Sequence, residues 1–273
     1  MNDISKDFSQ TALAAAIKAN LFEYYQSLGR SSQVEYIDNP QFTWLVTGIP
    51  DSFFNNVLRT HLTSDNVDAE IAKTLAHFHA LEIDELSWWN EPGTQPEDLG
   101  KRLASHGLTF SQGVPGMAVD LMVLNEKKYY PPTVVIERVT GSKTLEQFIG
   151  VSMISYGLPL SSETICFNLF YDLGFELPLV NYVGLLYGKA VAAAELFLGA
   201  GVAGIYWVST VPEARGLGIG AAITLYALQE ARNLGYRIGI LHATRMGFEV
   251  YRRLGFQEYC RLSNYIWTGK ANP

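Results

Sequence analysis

Residues Pro212–Gly220 read PEARGLGIG, and what this stretch holds decides what the chain around it must be. Gly216, Gly218 and Gly220 alternate with Leu217 and Ile219, and Arg215 stands in front. Beyond them, Ile219, Ala222, Ile223, Tyr226 and Ala227 recur with the spacing of one helix face. Glycines at the start of a helix let its unpaired N–H groups and partial positive charge come close to a ligand. Such a turn suits a phosphate or pyrophosphate. A dinucleotide, a nucleotide triphosphate, another phosphate carrier or a bare turn all remain open at this point.

Gly216, Gly218 and Ala221 fit G-x-G-x-x-A, the dinucleotide fingerprint. That fingerprint needs glycines directly after a strand and an acidic residue about 20 positions on for the ribose. Here Val211–Arg215 intervene, and the next strand, ending Leu241-His242-Ala243, has no carboxylate. A triphosphate loop needs a lysine after the glycines, and none follows.

Working outward, the pattern predicts a helix over 7–28, strands over 34–37 and 42–47, and a helix over 67–81. A strand at 85–89, a helix at 96–105 stopped by Gly107, and a strand at 117–124 follow. Pro131-Pro132 fits neither a helix interior nor a central strand, so a boundary is placed there. The second half reads as a strand at 133–139, helices at 145–156 and 163–173, and strands at 179–187, 191–198 and 203–210. The glycine motif, a helix to 234, a strand at 237–243, a helix at 246–254 and a strand at 258–267 complete it. The expected class is α/β with a mixed sheet. Leu196–Val211 is uncharged but shorter than the roughly 20 residues of a membrane helix. It reads instead as two buried strands with a turn near Gly199–Gly201.

Composition narrows the partners. Apolar residues at 48% and charged residues at 17% suit a globular core. The net charge of -7 argues against nucleic acid and favours amine-bearing substrates. Cys166 and Cys260 have no metal-ligand spacing and read as thiols of a reducing compartment. No secretory pattern opens the chain, so a cytoplasmic protein is expected, without membrane partner and without metal.

Arg215-Gly216-Leu217-Gly218-Ile219-Gly220 matches Arg/Gln-x-x-Gly-x-Gly/Ala, and Tyr251-Arg-Arg-Leu-Gly255-Phe256 follows in order. On these motifs residues 133–268 resemble the GNAT superfamily of acyl-CoA N-acyltransferases. The resemblance implies a catalytic GNAT domain over 131–273 and an accessory, degenerate GNAT-like domain over 1–130, hence two tandem GNAT-like domains. It implies acetyl-CoA as co-substrate and transfer to a primary amine by direct attack through a tetrahedral intermediate. Val208, Ser209 and Thr210 would pair with the pantetheine arm, a backbone N–H near Val208 meeting the oxyanion. Arg215, Gly216, Leu217, Gly218, Ile219, Gly220 and Ala221 would cradle the pyrophosphate. Tyr251 would protonate the leaving thiolate; a phenol near pKa 10 can give a proton to a thiolate whose acid lies near 8.5.

The family's strand glutamate is replaced here by Gly204. That leaves the base open among Glu195, Tyr206, His242, a water-mediated group, or none. Ordinary surface statistics would place Glu195 at a solvent-facing strand edge. A non-catalytic acyl-CoA-binding module is the alternative function. The acceptor is expected to be a small-molecule or peptide amine entering over 145–173, and the protein a monomer or homodimer. His77 and His79, two apart on a helix, do not share a face and form no metal pair. Trp88-Trp89 and Tyr129-Tyr130 read as core and linker packing or as the lining of a cleft.

Overall fold

The computed structural model describes residues 4–90, 93–111, 113–127 and 133–269. In chain order its main elements are α1 (Gln10–Leu28), β1 (Glu35–Asp38), β2 (Thr43–Val46), β3 (Asn56–Leu58), α2 (Val67–Ala80), β4 (Leu86–Asn90), α3 (Leu99–Ser105), β5 (Thr109–Phe110) and β6 (Val114–Asp120). They continue with β7 (Val134–Arg138), α4 (Ser142–Tyr156), α5 (Glu163–Leu173), β8 (Leu179–Leu186), β9 (Lys189–Gly199) and β10 (Val202–Thr210). Last come α6 (Ile219–Asn233), β11 (Ile238–His242), α7 (Phe248–Leu254) and β12 (Gln257–Trp267).

The chain divides into two compact units, and neither is continuous. One joins Met1–Ser27 to Pro115–Cys260; the other joins Leu28–Val114 to Arg261–Pro273. The boundary expected at 130/131 lies outside the described residues, as do Pro131-Pro132 and Tyr129-Tyr130. The compact units do not follow it. The reason is pairing: β6 lies antiparallel against β11, from Ile238↔Asp120 to His242↔Gly116. Leu13 and Ile17 of α1 pack with Ala118, Val202, Ile238 and Ile240. Both early segments are thus part of the later sheet's core.

In that first unit the strands run β6-β11-β10-β9-β8-β7. Only β10 and β11 are parallel, joined by α6 as the crossover. Side chains alternate across the sheet. Tyr182 and Gly184 of β8 face α6, meeting Tyr226 and Ile223. Asn181 and Glu195, a directly opposed pair on β8 and β9, face the other way. Ile219, Ala222, Ile223 and Ala227 of α6 are buried as expected; Tyr226 is 39% exposed and meets Tyr182 edge to face, at 5.6 Å between ring centroids.

The stretch Leu196–Val211 forms a hairpin. Its turn, Ala200-Gly201, has φ of 49° and 72°, the paired positive values of a tight two-residue connection. Among the described residues no helix is long and apolar enough to cross a membrane.

The second unit has the order β1-β2-β3-β4-β12, with β5 also on β12. Its core joins Phe42, Val57, Ile71, Phe78, Leu86, Trp88 and Leu103. Trp88 and Trp89 are core residues, not cleft lining; their indole N–H groups donate to Thr60 Oγ1 at 2.9 Å and Asn56 Oδ1 at 2.8 Å. His77 pairs with Glu35 at 2.7 Å and His79 with Asp84 at 3.4 Å, each serving the unit's own packing. Cys166 and Cys260 are thiols, not joined in a disulfide.

Candidate active site

The site begins where β10 leaves its parallel neighbour. The β10/β11 ladder ends at Ile205↔Leu241, while β10 continues to Thr210. From 206 to 210 the strand therefore runs outside the β11 ladder, its Val208 and Thr210 carbonyls accepting from the Tyr156 hydroxyl and the Arg215 Nε instead, and this edge can take a guest strand or extended ligand. On the other side the register with β9 jumps from Tyr206↔Glu195 to Ser209↔Ala193. Two residues, Trp207 and Val208, thus oppose one: a β-bulge. Trp207 takes a φ of 53°, a left-handed value uncommon for a bulky residue. Val208 belongs to neither ladder. Its carbonyl accepts from the Tyr156 hydroxyl at 3.3 Å.

The bulge is held by aromatic packing. The Trp207 indole meets Phe148, Tyr156 and Phe170 of α4 and α5 at centroid distances of 6.4, 5.5 and 5.2 Å. From α1, the Tyr24 hydroxyl accepts the Trp207 indole N–H at 2.8 Å. The Tyr24 ring stacks on Tyr206 at 4.0 Å with 7° between planes.

Below the open strand, Pro212–Ala214 make a single 3₁₀ turn and the glycines bring the chain into α6. Gly216 and Gly218 have φ of 79° and 78°, left-handed conformations that cost a residue with Cβ about 1 kcal/mol or more. Open space surrounds the Cβ position of Gly216, and no side chain caps the helix start. The first N–H groups of α6 are therefore presented to whatever sits there. Arg215 holds the loop: its Nε donates to Thr210 O at 3.0 Å and its Nη2 to Ser155 O at 3.4 Å. Leu217 is exposed, whereas Ile219 is core, so only the backbone of Ile219 can face a ligand.

The titratable groups gather around the bulge. Glu195 is fully buried, which corrects the expectation of a solvent-facing carboxylate. Its position on β9, between β8 and β10, is central and not at an edge. Neither carboxylate oxygen has a hydrogen bond of full geometry. Burial pushes its pKa up to about 8, with the nearby Tyr24 phenol pulling the other way. Tyr251 is 8% exposed, and burial raises its phenol above the ordinary range. Tyr156 interacts electrostatically with both Tyr251 and Glu195. His242 sits at the point where β10 and β11 part, its ring 6.1 Å from that of Tyr206. Burial lowers its pKa to about 4, and neither ring nitrogen has a partner.

The place of the absent strand glutamate is filled. A Cβ on Gly204 would collide with Asn20 Oδ1 and the Tyr206 ring. Asn20 accepts from the Tyr206 hydroxyl at 2.8 Å and donates to Gly199 O at 2.8 Å. Sequence reasoning missed Asn20, Tyr24, Tyr156 and the bulge at Trp207. Asn20 and Tyr24 lie one turn apart on α1, but nothing in their spacing points them at a strand almost 180 residues away.

Residues 200–259 match the family model described as the acetyltransferase (GNAT) domain. Residues 200–259 thus match a GNAT acetyltransferase domain, and the chain shares the GNAT fold. The GNAT fold extends over its whole length. A GCN5-related N-acetyltransferase from Kribbella flavida is 19% identical, with a TM-score of 0.67 and 98% of each chain covered. A tandem GNAT protein from the clavulanic acid biosynthesis pathway is 13% identical, with a TM-score of 0.55, covering 99% of this chain and 98% of that one. A GCN5-related N-acetyltransferase from Sphaerobacter thermophilus is 14% identical, with a TM-score of 0.60, covering 96% and 93%. Among curated proteins no match is found. Full-length overlap with a tandem GNAT protein accords with two GNAT-like units in this chain.

Proposed function

We propose that this GNAT chain is an acetyl-CoA-dependent N-acetyltransferase acting on a primary amine of a small molecule or peptide. The observation that carries the reading is the open strand at 206–210, bulged at Trp207 and standing over the uncapped start of α6. An extended arm fits the strand edge that runs beyond the β11 ladder, and a pyrophosphate fits the N–H groups freed by Gly216, Gly218 and Gly220. Acetyl-CoA would supply a thioester carbonyl to this site.

The residues then divide the work. The N–H of Val208, outside both ladders, stabilises the oxygen on which charge develops during attack. Glu195, brought near neutrality by burial, takes the amine proton directly or through water. Tyr251, kept protonated by burial, donates to the departing thiolate. The acceptor approaches past α4 and α5, whose Phe148, Tyr156 and Phe170 wall the bulge.

Gly204, with its Cβ position occupied by Asn20 and Tyr206, favours a second reading: a protein that binds acyl-CoA without turnover. An amine panel scored by CoA release, with calorimetric CoA binding alongside, separates the two. Turnover that falls in Glu195→Gln supports the enzyme. Intact CoA binding with no turnover across the panel supports the binding module.

A further inference from the structure

The described mechanism uses no residue of α1, yet α1 places three polar side chains against the β9–β10 hairpin. Glu23 Oε2 accepts from Ala200 N at 2.6 Å, and Asn20 bonds Gly199 and Tyr206. Tyr24 differs from these two in reaching the bulge itself. Its oxygen accepts the Trp207 indole N–H, so its own O–H proton remains to be donated elsewhere. The acceptor beside it is Glu195, whose oxygens lack an aligned donor. The Tyr24 ring is fixed by stacking on Tyr206, the residue directly across the ladder from Glu195.

We propose that Tyr24 is a positioning residue of the transfer site, linking the Trp207 bulge to Glu195 through one phenol. The indole N–H polarises the phenol, and the phenol O–H turns to the carboxylate when Glu195 loses its proton. One side chain of α1 thereby holds both the bulge that carries Val208 and the charge of the base. This rests on the reading of Glu195 as the base. The other titratable neighbours are Tyr206 on β10 and Tyr156 on α4, both coupled to Glu195, with Tyr25 of α1 and His242 of β11 beside Tyr206. Tyr206, Tyr156 and His242 stay neutral near pH 8, so the Tyr24–Glu195 leg can be read separately.

The test is an infrared titration of the protonated carboxyl band in the full chain, without acceptor. Glu195→Gln assigns the band, which in the wild type is expected to titrate near pH 8. Tyr24→Phe is expected to move that midpoint upward by about one pH unit, a tenfold weaker acid. Trp207→Phe, which removes the indole N–H together with part of the ring that packs on α4 and α5, is expected to move it the same way by less. A loss of packing alone would lower the melting temperature and leave the midpoint in place. An unmoved midpoint in folded Tyr24→Phe overturns the proposal and leaves the base assignment standing. If Tyr24→Phe does not fold, Trp207→Phe decides by the same criterion. A band that persists in Glu195→Gln, or unchanged turnover in that variant, overturns the base assignment instead.

Discussion

Glu195 makes the molecule's acid–base behaviour readable at one residue. Its pKa is about 8 when folded, against 4.5 ordinarily. Between those values the folded chain keeps a proton that the unfolded chain has lost, so this group's contribution to stability falls as pH rises from about 4.5 to about 8. His242 works in the opposite direction. Its pKa is depressed to about 4, so stability falls as pH drops from 6.5 toward 4. Thermal melts across pH 4–9 check this by difference, because His242 titrates alike in wild type and Glu195→Gln. The variant is expected to gain over wild type by a few kcal/mol above pH 8, from ~1.4 kcal/mol per unit, and to converge near pH 4. Its turnover is expected to fall about 100-fold or more, with the limb that rises through pH 8 lost from the rate profile. For Tyr251→Phe, stopped-flow CoA release is expected to show kcat reduced at least about tenfold and KM little changed, since the phenol acts on the leaving group.

At the scale of elements, the glycine turn lends itself to a direct test. Gly218→Ala places a Cβ at a φ of 78°, costing about 1 kcal/mol of stability, and projects a methyl group beside the helix-start N–H groups. Calorimetry is expected to find CoA binding weakened about tenfold or more, with a melting temperature lower by a few degrees. The order β7-α4-α5-β8-β9-β10-α6-β11-α7-β12 was legible because these runs are long, periodic and stopped by Gly174, Gly235 and Gly255, each at positive φ. Short elements were not. β3 and β5 have three and two residues, too few for a period to register. The strand expected over 117–124 is β6, Val114–Asp120, which takes in Pro115 and Gly116, residues of types that favour turns. Both are nonetheless in the sheet: Pro115 O accepts from Ala243 N, and Gly116 pairs with His242. Leu121–Val123 turn away in a 3₁₀ turn capped by the Asp120 carboxylate. In the candidate site, the donor side followed from local sequence because its contacts are backbone contacts on one continuous stretch. The surroundings of Glu195 come from four separate segments, and no local spacing encodes them.

At the scale of the whole molecule, the unit that holds the site is assembled from both ends of a long separation. Residues 131–273 alone lack α1 and β6, leaving β11 without its antiparallel partner and Ile238 and Ile240 without Leu13 and Ile17. Such a fragment is expected to melt without a cooperative transition and to bind a hydrophobic dye. A fragment melting cooperatively at the full chain's temperature would refute this.

The bond from Asn20 to Gly199 spans 179 positions, and the one from Tyr206 to Asn20 spans 186. During synthesis α1 leaves the ribosome long before the hairpin it clamps has been translated. At about 5–20 residues per second, that interval lasts roughly 10–40 seconds. For that time Leu13 and Ile17 lack Val202, Ile238 and Ile240, and Tyr24 lacks Tyr206 and Trp207. The intervening Leu28–Val114 segment belongs to the other unit, whose closing strand comes still later. The nascent chain therefore carries an apolar helix in waiting, and holdase chaperones in the cell have a predictable place to bind it.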